Sequence, residues 1–268
     1  MPDWLAAAIL GLIEGVTEFL PVSSTGHLLL VENLGWVPRQ SDLFNILIQC
    51  AAVFAVFGVF SERIQQLLFG LRDAANRDYL LKLGVAFVLT GLGGLWMKKA
   101  GLELPDEAMP IAWATLIGGV AFLLAEEWLL DRPASDTITW RVALAVAVGQ
   151  LVAAAFPGAS RSGTTILFAL LLGASRPVAT EFSFLVGIPT LAAAGALELL
   201  KTLKTGGLRA IGDEKTLLLV GGSVAALTAF LTVKWLLKFV QTHTFIAFGW
   251  YRIALGVATL AWASSAAK

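Results

Sequence analysis

The sequence predicts an all-α polytopic membrane protein: about six transmembrane helices plus two re-entrant helical hairpins, arranged as inverted-topology repeats in one integral membrane domain over 1–268. Three observations carry that reading. The 268 residues are 57% hydrophobic and 14% charged, with a mean hydropathy of +0.80, where soluble domains carry about 25% charge. Long apolar stretches recur along the chain. Two short polar runs interrupt them, EGVTEFLPVSSTGH from Glu14 to His27 and FPGASRSGTT from Phe156 to Thr165.

Taken in order, the apolar stretch 4–30 contains the first polar run and Pro21, which cannot continue a helical hydrogen-bond ladder, so it is read as a broken helix. The stretches 43–60, 83–97 and 108–125 follow as spans, near the roughly 17 to 25 residues that a crossing needs. Residues 142–175 contain Pro157 and the second polar run and form another broken helix. Spans are expected again over 182–200, 216–233 and 244–263. The charged segments 61–79 and 201–215 read as exposed loops with short helical pieces.

The halves, about 1–133 and 134–268, resemble one another. Glu14 and Gln150 each lie seven residues before a proline, Gly26 and Gly163 differ by 137 in number, and Phe44 (FNILIQ) and Phe182 (FSFLVG) by 138. A hairpin and three crossings per half make the second half enter from the opposite side, and in such folds broken helices meet at the midplane around a cavity. The arrangement is expected to bring His27 and Arg161 together.

Nineteen basic and nineteen acidic residues give zero formal charge and no electrostatic case for nucleic acid. Basic residues divide nine against eight between the two faces, so the positive-inside rule sets no orientation. The N-terminus lacks the basic segment and cleavage site of a secretory signal and is expected to stay in the mature protein. The single Cys50 excludes an intrachain disulfide and reads as a packed apolar residue. Trp4, Trp36, Trp96, Trp128 and Trp140 fall near span or hairpin ends, as interfacial anchors do. Gly91 to Gly94 and Gly221 to Gly222 are expected at close helix contacts.

Polar groups at membrane depth are costly unless function or internal pairing retains them. Glu14 and Glu18, four apart, share one helix face. Ser23, Ser24, Thr25, Gly26 and His27 then supply hydroxyls, a permissive backbone and an imidazole, a set suited to phosphate binding and proton movement. In the second run Ser160, Arg161, Ser162, Gly163, Thr164 and Thr165 surround an arginine whose planar fork matches phosphate oxygens, or pairs with Glu14 or Glu18. Arg252 and Glu198 read as structural, pairing with each other or reaching the interface. Glu181 and Ser183 are candidates to line the cavity, and His243 reads as interfacial.

These two runs, with FNILIQ and EFSFLVGIP, resemble the bacterial undecaprenyl-diphosphate phosphatase family, also known as the bacitracin-resistance protein family, over the whole chain. The resemblance implies a multi-pass enzyme of the bacterial cytoplasmic membrane, its site facing the periplasmic or outer side. Its substrate would be undecaprenyl diphosphate, amid membrane lipid, hydrolysed to the monophosphate carrier used in cell-wall synthesis. It further implies dependence on a divalent cation, Mg2+ or Ca2+. Residue by residue, Glu14 and Glu18 fall on the metal-binding acidic motif. Glu18, Ser24, His27 and Arg161 fall on catalytic positions, and Thr25, Ser160, Arg161, Ser162 and Thr165 on substrate-binding ones. Attack by Ser24 with His27 as base or acid, attack by His27, and attack by water all stay open, as does a homodimer. The type 2 phosphatidic acid phosphatases share an element similar to STGH, but after Arg161 no histidine precedes His243 and no aspartate precedes Asp213. A lipid-phosphate transporter using the same inverted-repeat site is the alternative of a different class.

Overall fold

The computed structural model describes residues 1–102 and 107–266, with 206–213 and 266 described by backbone alone. In chain order the helices are α1 (Asp3–Thr17), α2 (Ser24–Asn33), α3 (Asp42–Val59), α4 (Ser61–Phe69), α5 (Ala74–Lys99) and α6 (Ala108–Leu129). The second half continues with α7 (Trp140–Ala155), α8 (Arg161–Leu171), α9 (Arg176–Thr205), α10 (Glu214–Phe239) and α11 (Ile246–Ala266). Six of them, α3, α5, α6, α9, α10 and α11, are long and apolar enough to cross a membrane. The helices α1, α2, α7 and α8 have 15, 10, 16 and 11 residues, short of a full crossing. Each half therefore sets two short helices ahead of three membrane-length ones.

α5 begins nine residues before the expected stretch. The Asp73 side chain accepts from the Ala75 N–H and caps it, and Lys82 turns inward to meet Asp78 and the Ile138 carbonyl. The charges that read as a loop are thus the first turns of a helix. The segment 201–215, expected as an exposed loop with short helical pieces, has helical backbone throughout and joins α9 to α10 without a break.

Helix crossings are built on small residues. A Cβ on Gly11 of α1 would stand 2.2 Å from the Gly221 carbonyl oxygen of α10, and one on Gly119 of α6 would stand 2.7 Å from that of Gly249 on α11. Such residues let backbones touch where packing, rather than the hydrophobic effect, must hold helices together. Cys50 of α3 packs on Gly195 of α9, as a small apolar residue would. α1 packs on α10, while α7 packs on α5 through Gly93 and Leu151. Gly91 and Gly94, expected at contacts, have open space beside them.

The two polar runs form turns of one design. Ser23 (φ 74°, ψ 96°) and Ser160 (φ 69°, ψ 115°) both hold positive φ, and each caps its helix by accepting from the N–H three residues on, Gly26 or Gly163. The two serines are separated by the same 137 residues as the two glycines.

Candidate functional site

The turns meet at Glu18, which caps the C-terminal end of α1. Its Oε1 accepts from Arg161 Nη2 at 3.0 Å and Nε at 3.3 Å, and its Oε2 accepts from the Ser24 hydroxyl at 2.6 Å. Arg161 and Ser24 are the first residues of α8 and α2, so one carboxylate joins both helix starts across 143 positions of sequence. Glu18 is 7% exposed, and in such surroundings a charged pair persists only with its hydrogen bonds made. The Arg161 guanidinium lies against Gly187 of α9, its Nη1 without a hydrogen-bond partner among the described residues.

Beside this pair opens a cavity of about 390 Å³, lined by Glu18, Ser23, Ser24, Thr25, Ser160 and Arg161 from the polar runs. Its remaining polar wall is Gln49, Thr90, Gln150 and Thr190. The Gln150 amide donates to the Thr90 and Thr190 hydroxyls at 3.1 and 3.3 Å. Those hydroxyls donate to the Ala86 and Val186 carbonyls one turn back, which fixes which way the amide points. Gln49 and Gln150 sit in the repeated segments and so were within reach of the sequence; the two threonines carry no signal that separates them from ordinary back-bonded hydroxyls.

Other expected residues are placed elsewhere. Ser162 and Thr165 are fully buried outside the lining. The Ser162 hydroxyl bonds the Glu18 and Leu20 carbonyls at 3.2 and 2.9 Å, tying α8 to the first turn, and Thr165 bonds the Arg161 carbonyl at 2.7 Å and Ser183. His27, expected near Arg161, makes no hydrogen bond to it among the described residues. Its Nδ1 meets the Ser23 carbonyl at 2.7 Å and its Nε2 the Tyr251 hydroxyl of α11 at 2.6 Å. A carbonyl can only accept, so Nδ1 carries the proton and Nε2 accepts from the tyrosine. Glu181 and Ser183 do not line the cavity either: Glu181 pairs with Arg63 at 3.0 Å and Ser183 with Thr165. Glu198 pairs with Lys201, not Arg252. His243 is exposed beside Thr242 and Phe239, as an interfacial residue would be.

Glu14, one turn behind Glu18, is fully buried, and neither of its carboxylate oxygens has a hydrogen-bond partner among the described residues. No group of three His, Cys, Asp or Glu side chains stands ready for a metal among the described residues. The glutamate pair nevertheless suits a hard divalent cation, because Mg2+ is commonly held by one or two carboxylates together with substrate phosphates.

Six membrane-length helices, three of which (α3, α5 and α9) help to wall a cavity where an arginine, serine hydroxyls and a carboxylate converge, define a multi-pass membrane protein with a charged, polar cavity. The family model for bacitracin resistance protein BacA matches residues 7–258. The chain is 50% identical over 264 residues to the undecaprenyl-diphosphatase of Rhizobium johnstonii, with 98% of each chain covered. It is 48% identical over 269 residues to that of Xanthomonas euvesicatoria pv. vesicatoria, with both chains covered in full. The chain belongs to the bacitracin resistance protein BacA family.

Proposed function

We propose that this protein is a membrane phosphatase that hydrolyses undecaprenyl diphosphate to undecaprenyl phosphate and inorganic phosphate, recycling the lipid carrier for cell-wall synthesis. The observation that carries the reading is Glu18 holding the Ser24 hydroxyl and the Arg161 guanidinium at once beside a cavity. Relatives at about half identity over nearly the whole chain bear the name of that activity, and none of those named here is a transporter.

In the proposed reaction, Arg161 turns from Glu18 to the terminal phosphoryl oxygens and neutralises the charge that develops there. The Ser24 oxygen attacks the terminal phosphorus, its proton passes to Glu18, and the bond from that phosphorus to the bridging oxygen breaks as undecaprenyl phosphate leaves. Water then hydrolyses the phosphoserine, restoring Ser24 and releasing inorganic phosphate. Thr25 and Ser160 line the approach to the phosphoryl group. His27 holds the first turn of α2 through Ser23 and Tyr251, which supports a positioning role for it in this reaction. Glu14 and Glu18 would hold Mg2+ or Ca2+, which when bound would offset diphosphate charge and polarise its oxygens. The site is proposed to open to the outer face of the bacterial cytoplasmic membrane, following the family resemblance. Both polar runs come from one chain, so a homodimer is not required.

The test is phosphate release from a long-chain prenyl diphosphate by the purified protein in detergent, with magnesium or a chelator, beside Arg161→Ala and Ser24→Ala. Cation-dependent release lost in both variants supports the proposal. A folded protein that releases none would refute it and favour the transporter.

A further inference from the structure

Arg252 of α11 is fully buried, and its hydrogen bonds all go to backbone carbonyls. Nη1 donates to the Pro21 oxygen at 3.1 Å. Nη2 donates to those of Gly158 and Ala159 at 3.1 and 3.0 Å and of Ala114 at 3.3 Å, while Nε donates to that of Thr115 at 3.2 Å. No carboxylate pairs with it among the described residues. A guanidinium buried without a counter-ion is expensive at membrane depth and is retained for a purpose.

The purpose is visible in what it joins. Pro21 lies three residues before Ser24, and Gly158 and Ala159 lie just before Ser160 and Arg161. One side chain therefore ties both turns to each other and to α6. The neighbourhood is shaped for it. Gly118 has no Cβ, and one there would lie 2.1 Å from Arg252 Nη2. Gly158, at φ 93°, lets its turn press against Ile111 of α6, where a Cβ would lie 2.4 Å from the Ile111 oxygen. Thr115 adds a bond from its own hydroxyl to the Gly158 oxygen at 3.2 Å.

We infer that Arg252 is a positioning residue for phosphoryl transfer: by clamping the two turns in one register, it makes Ser24 and Arg161 address the same phosphoryl group. The inference rests on the phosphatase reading for its kinetic consequence and on the carbonyl clamp alone for its structural one. It requires the five-way geometry and not merely the charge. Lysine keeps the charge but has a single nitrogen and cannot replace a fork spread over five carbonyls.

The experiment uses the full-length protein in detergent, with Arg252→Lys, Arg252→Met and Gly118→Ala, each measured for kcat, KM and amide hydrogen exchange over 19–27 and 156–165. Positioning errors of about 1 Å cost up to about a hundredfold in rate. The expected result is a kcat lowered by ten- to a hundredfold in both Arg252 variants, with KM within about threefold, and faster exchange in both turns. Gly118→Ala, which keeps the arginine but displaces it, should show a smaller loss of the same kind and covers the case in which the Arg252 variants fail to fold. Wild-type kcat in Arg252→Lys or Gly118→Ala would overturn the inference. So would a pure rise in KM in Arg252→Met that lysine rescues, since that would make the charge and not the clamp the contribution. A wild-type protein that releases no phosphate would sink the phosphatase reading alone, and unchanged exchange in the variants would then sink the clamp.

Discussion

Replacing Gly187 with alanine tests the site without touching any residue that carries its chemistry. The new Cβ would stand 2.1 Å from Arg161 Nη1, 2.9 Å from its Cζ and 3.2 Å from its Nη2. Relief to ordinary contact at 3.4 Å needs a shift of about 1.3 Å, and the guanidinium is the group free to give, since the clash is with its far end and not with backbone. That shift draws Nη2 away from Glu18 Oε1, now at 3.0 Å, and carries the charge off the phosphoryl position. A displacement of this size costs about a hundredfold in rate, or about 2.7 kcal/mol of barrier. The assay is phosphate release from a prenyl diphosphate in detergent, with thermal unfolding in parallel to confirm a folded protein. Glycine to serine should do at least as much harm. A Gly187→Ala protein within threefold of wild type would refute the claim that Arg161 must sit where the structure places it.

Glu18→Gln should lower kcat by about 10²- to 10⁴-fold, because Ser24 loses its proton acceptor; a tenfold loss or less in phosphate release would remove Glu18 from that role. Ser24→Ala should abolish release. His27→Ala should retain measurable turnover, which separates positioning from attack: equal losses in the two would return His27 to the nucleophile's place. Glu14→Gln should raise the magnesium concentration needed to protect the protein against heat, read by thermal unfolding across a magnesium titration. An unchanged titration would take Glu14 out of the cation site. Gly11→Ala, whose Cβ would press on the Gly221 oxygen, should destabilise the fold by about 1–3 kcal/mol, seen as a lower unfolding temperature.

The six spans were legible because hydropathy over some twenty residues reports a crossing directly, and the expected stretches fall within or close to the observed helices. Boundaries were less so where charge sits inside a helix: Arg77 and Asp78 read as loop residues, yet both lie in the first turns of α5, where Asp78 meets the buried Lys82. The site's two sequence runs were visible as polar interruptions, and the pairing of Arg161 with a glutamate was among the expected outcomes. The sense of His27 was not, since which side of a short helix meets Tyr251 is decided by a helix 224 positions away. Arg252 was read as structural, but its partners are backbone carbonyls, which no residue pattern announces. Glu126, buried and held by Arg176 and the Phe245 N–H, likewise gave no sign in its local sequence.

Ser23 and Ser160 both sit at positive φ, where a side chain costs about 1–3 kcal/mol. Glycine at either place would relieve that cost and, in losing the side-chain cap, give up only about a few tenths of a kcal/mol. The relief outweighs the loss, so a screen for thermostability would favour either swap. The rate would be less forgiving, because these serines set the direction in which Ser24 and Arg161 leave their turns. The protein thus keeps in each half a strained serine that durability alone would trade away, and what the strain serves is turnover.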